Sequence, residues 1–442
     1  MTHASHIDPA PDSGSLLALS ARWERPVVAS TGDRTALMLR ITTGPALVAA
    51  HERAPIDLAV ALDRSGSMRG TIGLAKEAVL IAIDHLDERD RIAVVAFDDR
   101  LETVQPLAFA TPEIKAALRA ALASIDARGG TYLSGGWLLA GQQLAAAERQ
   151  TTGEGRVQRS LLVTDGRANV GITDGGELAH HAGQLRMRGI STSAIGLGRG
   201  FDEFLLSGMV EAGGGAFAFA AQASELDRFF AGEIGDLLDA VALQPILQLT
   251  WPEGLKARLV NAFPVNRVGR THTVDLRILR SEDDQKLLFT VTSAPDVDGA
   301  LVAHARLDWT DARTRQRMTT VADTDPLLCV DPAEAATFSK DPEVAEALAL
   351  EEAAKAHREA VRLDREGRFQ ESRQVFAASR RMLSHAPQSD EVREQIRVSM
   401  DLSNAPMAPL DEEVRKERVA YHSQHSRGTG TPRPPRPPRQ DG

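Results

Sequence analysis

The chain of 442 residues has a single cysteine, Cys329. It therefore holds no internal disulfide and no Cys₂ or Cys₄ zinc site, and it fits a reducing compartment. It has no excess of positive charge either: 61 Asp and Glu against 51 Lys and Arg leave a net charge of −10. That excludes nucleic-acid binding through overall charge. No run of some 18 apolar residues is present, so no membrane-spanning helix is expected. The opening MTHASHIDPAPDSG lacks a basic segment followed by an apolar one, so no secretory leader is expected. The resulting expectation is a cytoplasmic protein that contacts neither membrane nor nucleic acid. Hydrophobic residues at 43% and charged residues at 25% exclude wholesale disorder and collagen-like character.

What is present divides the chain. Residues 1–14 read as a disordered N-terminus and 15–55 as strands, with Leu16–Trp23 and Thr35–Thr43 separated by Pro26 and turn residues. Over 56–241, short apolar runs alternate with helical stretches: Ile56–Leu62, Arg91–Phe97, Ser160–Thr164, Ile190–Leu197 and Ala216–Phe219. This is the pattern of a doubly wound, mostly parallel α/β sheet covered on both faces, with its last helix ending near Val241. From 242 to 332 strand-like alternation returns, as in Thr273–Ile278. Strands on both sides of the α/β region lack partners of their own, so the expected fold is an α/β domain inserted in an antiparallel β-sandwich. Residues 340–404 are helical, with a hairpin turning at Gly367; 405–442 read as a flexible Pro/Arg-rich tail, with continuation of helix over 390–421, interrupted by Pro406 and Pro409, as the alternative. Over 415–442, seven basic and two acidic residues give +5, so the preceding body carries −15.

Chemistry concentrates at strand ends. Asp63-Arg64-Ser65-Gly66-Ser67 follows the first α/β strand, and side chains at i, i+2 and i+4 of an extended loop can turn to one side. Gly129-Gly130-Thr131 adds a hydroxyl, and Leu161–Thr164 leads to Asp165-Gly166. In a doubly wound sheet all three loops can share the carboxyl edge, where ligands bind. One carboxylate from each of two loops plus three hydroxyls make an oxygen-only set suited to Mg²⁺. The alternative is that Ser65, Ser67 and Thr131 only cap helices.

The D-x-S-x-S, Gly-Gly-Thr and strand-end Thr-Asp-Gly motifs resemble the metal-ion-dependent adhesion site of von Willebrand factor type A domains. The resemblance covers about 185 residues, 56–240, and matches the family at Asp63, Ser65, Ser67, Thr131 and Asp165. It implies a site for Mg²⁺, or Mn²⁺, completed by a Glu or Asp carboxylate of a partner protein. The wider layout resembles the subgroup found beside C3HC4 RING fingers. With one cysteine there is no RING here, so ligase activity does not carry over. The resemblance implies a scaffold rather than an enzyme, with an AAA+ ATPase or a stress or conflict component among the partner classes. Competing expectations are a metal-dependent phosphoester hydrolase, which lacks an evident general base, and a metal that only staples the sheet edge. Arg64, Arg69, Arg167 and Asn169 flank the loops as candidate partner contacts, with solvated loop residues as the bland alternative.

Other signals are weak. Gly196-Leu197-Gly198-Arg199-Gly200 lacks dinucleotide spacing and reads as a strand-end turn. Arg64-Ser65-Gly66-Ser67-Met68 is not a hydrolase elbow, and His180-His181 are adjacent rather than chelating. Trp137 reads as core.

Overall fold

A computed structural model describes residues 17–44, 54–148 and 156–425, apart from 167, 199, 221, 223, 227–228, 231–239, 296, 298 and 315. The expected N-terminal disorder, the end of the tail and most of the helix placed before Val241 lie outside the described residues. Ala240 and Val241 themselves open a strand. The described chain forms two compact units: 54–240, and 17–44 together with 241–425.

Strands β1 (Leu17–Trp23), β2 (Val27–Ala29) and β3 (Arg34–Thr43) come first. The α/β unit follows with β4 (Ile56–Asp63), β5 (Arg91–Phe97), β6 (Leu101–Phe109), β7 (Val157–Thr164), β8 (Ile190–Leu197) and β9 (Gly214–Ala220). They form one sheet in the order β6-β5-β4-β7-β8-β9, parallel except for the edge strand β6. β4, β5 and β7 are buried at every residue, because helices cover both faces. Those helices are α1 (Ile72–His85), α2 (Pro112–Ala123), α3 (Leu133–Glu148), α4 (Gly175–Met187) and α5 (Glu203–Gly213). Asp174 and Asp202 cap α4 and α5 through backbone N–H groups of the first turn. Trp137 of α3 is fully buried. The chain leaves β4 toward β5 on one side and later returns to β7 on the other. The sheet's order thus reverses beside β4, the place where open α/β sheets bind ligands.

In the second unit, β10 (Ala240–Thr250) to β15 (Asp284–Ser293) include β11 (Leu255–Leu259), β12 (Val265–Val268), β13 (Thr271–Asp275) and β14 (Leu279–Arg280). They are followed by β16 (Ala300–Leu301), β17 (His304–Asp311), β18 (Arg317–Asp323) and β19 (Leu327–Val330). The sheets β1-β3-β15-β11 and β12-β13-β10-β17-β18 are antiparallel. Leu37, Leu39 and Ile41 of β3 share one core with Leu247, Leu249, Phe289, Val291, Leu307 and Trp309. The strands that precede the α/β unit therefore complete the sandwich that follows it. β3 pairs with β15 from Arg34↔Thr292 to Thr42↔Asp284.

After the single turn α6 (Pro332–Ala335) come α7 (Pro342–Arg365), α8 (Phe369–Leu383), α9 (Asp390–Ser403) and α10 (Glu412–His425). Gly367, at φ +75°, ends α7: its N–H bonds the Asp364 carbonyl and the Arg368 N–H bonds that of Leu363. This pair of bonds is the Schellman arrangement.

The expectation of a flexible tail from residue 405 needs correcting, because α10 lies within it and buries Lys416, Val419 and His422. The two prolines that suggested a tail belong to a held turn. Arg373 donates to the carbonyls of Pro406 and Ala408, and Asp364 accepts the N–H of Leu410.

Candidate metal centre

Asp63 is the last residue of β4 and is fully buried. Its Oδ1 accepts the Ser65 N–H at 2.7 Å and its Oδ2 accepts the Thr164 hydroxyl at 2.5 Å. Burial pushes its pKa up to about 6 against the pull of those hydrogen bonds, and the neighbouring Asp165 charge adds to the rise. Ser65 Oγ and Ser67 Oγ stand 3.0 Å apart, the first buried and the second exposed. The Gly66 N–H donates to the Gly129 carbonyl at 3.0 Å, tying this loop to the one that carries Thr131.

Thr131 is buried just before α3. Its N–H donates to Asn169 Oδ1 at 2.8 Å, and its carbonyl accepts the Asn169 N–H at 3.2 Å. Asp165 follows β7. Its Oδ2 accepts the Thr71 hydroxyl at 2.6 Å, while its Oδ1 is buried and has no hydrogen-bond partner. Gly166 closes the arrangement. A β-carbon there would lie 3.2 Å from Ser67 Oγ and 3.5 Å from both Asp63 Oδ2 and Thr131 Oγ1. Oxygens from three loops thus surround one spot, and only glycine leaves it open.

This donor set fits a hard divalent cation. It is all oxygen, it carries two carboxylates and three hydroxyls, and it leaves one carboxylate oxygen without the partner that buried polar atoms require. Among the described residues no group of three or more His, Cys, Asp or Glu side chains is placed to hold a metal, so this mixed cluster stands without a rival of that kind.

The candidate partner contacts fare unevenly. Arg64 is buried and ion-paired with Asp98 at 2.9 Å and Glu102 at 2.6 Å, so it braces the loop and offers no exposed contact. Asn169 is exposed, but its side chain is committed to Thr131. Arg69 is exposed two residues beyond Ser67, and Arg167 lies outside the described residues. Two hydroxyls escaped the sequence reading, those of Thr71 and Thr164. Thr164 was visible as the residue before Asp165, whereas Thr71 gave no signal beyond its position before a helix.

Residues 57–231 match the family model of the von Willebrand factor type A domain. This part of the chain has the fold of a von Willebrand factor type A domain. The protein YfbK of Escherichia coli (strain K12) is 30% identical over 197 residues, 42% of this chain and 32% of that one. Inter-alpha-trypsin inhibitor heavy chain H4 of Sus scrofa is 30% identical over 198 residues, 43% of this chain and 21% of that one. The matches thus span less than a third of either relative's length. Among solved structures, the von Willebrand factor type A protein of Catenulispora acidiphila superposes with a TM-score of 0.69 at 17% identity, covering 95% of this chain and 99% of that one. The ArnB paralog VWA2 of Sulfolobus acidocaldarius reaches 0.61 at 14% identity, over 93% and 98%. At such identities the likeness is one of fold, and it extends beyond the type A domain to nearly the whole chain. No helix among the described residues is long and apolar enough to cross a membrane.

Proposed function

We propose that the chain is a non-enzymatic protein-interaction module whose type A domain binds Mg²⁺, or Mn²⁺, through Asp63, Ser65, Ser67, Thr131 and Asp165. The partner supplies a Glu or Asp carboxylate. The observation that carries this reading is the spot ringed by Ser67, Asp63 and Thr131 oxygens, taken together with the buried, partnerless Oδ1 of Asp165. When bound, the ion supplies an electrophilic centre that two carboxylates neutralise without caging, so a further anion is still attracted. The chain's residues do the rest. Asp63 and Asp165 furnish the negative charge, each fixed at one oxygen by a threonine hydroxyl. Ser67 stands exposed at the rim, where an incoming carboxylate can arrive.

Calorimetry with Mg²⁺ on the wild type and Asp63→Ala tests the site: binding by the wild type alone is expected, and equal binding by both refutes it. Pull-downs with and without chelator test the interaction. A set of captured proteins unchanged by chelator refutes metal-dependent recognition. Mg²⁺- and Asp63-dependent turnover of a phosphoester would overturn the non-enzymatic reading.

A further inference from the structure

Thr71 and the turn after β8 meet at Asp165, and neither belongs to the oxygen set described above. Thr71 precedes α1 and donates its hydroxyl to Asp165 Oδ2 at 2.6 Å. On the other side, a β-carbon at Gly200 would lie 2.9 Å from the Asp165 carbonyl oxygen, and one at Gly198 would lie 3.2 Å from Thr71 Cγ2. The turn therefore presses its backbone against both residues, an approach that a side chain at Gly200 would block.

The turn is itself anchored. Gly198 N–H bonds the Ala220 carbonyl at 3.2 Å. Phe201, nearly fully buried, packs against Phe217 at 6.0 Å and Phe219 at 5.8 Å between ring centroids. Asp165 is thus held between a hydroxyl and a backbone wall rooted in the core. One oxygen is taken and the other is left without a partner.

We propose that Thr71 and the residues Gly198, Gly200 and Phe201 after β8 are the positioning elements of the metal centre, fixing Asp165 so that its Oδ1 is presented to the ion. This rests on the metal-binding reading. It also gives the glycine-rich stretch after β8 a role that its poor match to a nucleotide fingerprint denied it. The physical argument is that groups bonded to a metal ligand set that ligand's orientation and thereby the affinity.

The test uses the full chain and Mn²⁺ alone, with free ion followed by electron paramagnetic resonance. Thr71→Val removes the hydroxyl at nearly constant volume and is expected to weaken Mn²⁺ binding by about 10–100-fold, with Thr71→Ser restoring most of it. In chelator, Thr71→Val is expected to keep the wild-type circular dichroism spectrum, which separates lost orientation from lost fold. Gly200→Ala, pushing on the Asp165 backbone, is expected to weaken binding in the same direction. Wild-type affinity in Thr71→Val overturns the inference while leaving the metal site standing. Should Thr71→Val not fold, Gly200→Ala decides, and unchanged affinity there overturns it. Failure of the wild type itself to bind Mn²⁺ overturns both the inference and the reading beneath it.

Discussion

Asn169 and Thr131 hold each other through two bonds: the Asn169 side-chain oxygen accepts the Thr131 N–H at 2.8 Å, and the Thr131 carbonyl accepts the Asn169 N–H at 3.2 Å. The pair clamps the loop after β7 to the loop before α3, so the position of one candidate metal ligand depends on a residue 38 positions later.

Asn169→Ala deletes the acceptor for the Thr131 N–H but exposes no core, since Asn169 is a surface residue. Its expected effect is a loss of about 10-fold or more in Mg²⁺ affinity, read by calorimetry, with little change in urea stability in chelator. Asn169→Asp keeps an acceptor oxygen and is expected to bind closer to wild type. Equal affinity in the alanine variant would show that Thr131 is fixed by other means.

Gly166→Ala places a methyl group within 3.5 Å of three candidate ligand oxygens. Mg²⁺ binding is expected to fall below detection while the apo fold survives, because the methyl enters a polar opening and not a packed core. Calorimetry on the variant, alongside its melting curve in chelator, reads both halves. Retained binding would place the ion elsewhere.

Arg373 and Asp364 form a buried ion pair at 2.9 Å, and Arg373 also serves the carbonyls of Pro406 and Ala408. Arg373→Met strands a buried carboxylate and two carbonyls. It is expected to cost about 3–5 kcal/mol in urea unfolding. Hydrogen exchange of Glu412–His425 should rise first, as that helix hangs on the turn they hold. A loss below about 1 kcal/mol, the scale of an exposed pair, would mean the turn is held otherwise.

His357 is fully buried, with Nε2 bonded to Ser399 at 2.8 Å. Burial, and then the Arg418 charge, push its pKa down to about 3. The unfolded chain takes up this proton near pH 6.5 and the folded chain does not until about pH 3. Stability from the neutral imidazole is thus present above 6.5 and is lost as pH falls through that window, by at most about 1.4 kcal/mol per pH unit. Between pH 7 and 5 the wild type is expected to lose about 2 kcal/mol more than His357→Gln. A gap that does not change with pH would mean that His357 takes up its proton as readily in the fold as in the unfolded chain.

The parts of this molecule legible in its sequence are those written in local pattern. β4, β5 and β7 read clearly because strands buried on both faces are apolar throughout. The candidate ligands read clearly because motif spacing and strand ends coincide. What stayed hidden depends on distant partners. Arg64 looked like a surface cation until Asp98 and Glu102, more than 30 residues away, claimed it. The helix Glu412–His425 read as tail or as interrupted helix because it is strongly polar and follows two prolines, and its docking rests on Arg373 and Asp364 of earlier helices. β18 leaves no such signature, because an exposed edge strand carries little apolar alternation. Thr71 is one of many threonines until the fold brings it to Asp165.

The insertion also orders events in time. β3 ends at Thr43 and pairs with β1 on one side, yet the strand on its other side begins at Asp284. At about 5–20 residues per second, a ribosome needs about 10–50 seconds to deliver that partner. The parallel sheet between them has all six of its strands by Ala220. During synthesis the first sandwich strands therefore wait with apolar faces bare while the inserted domain completes its own sheet. A nascent chain halted before residue 284 would bring its candidate metal ligands together before it carries a sandwich.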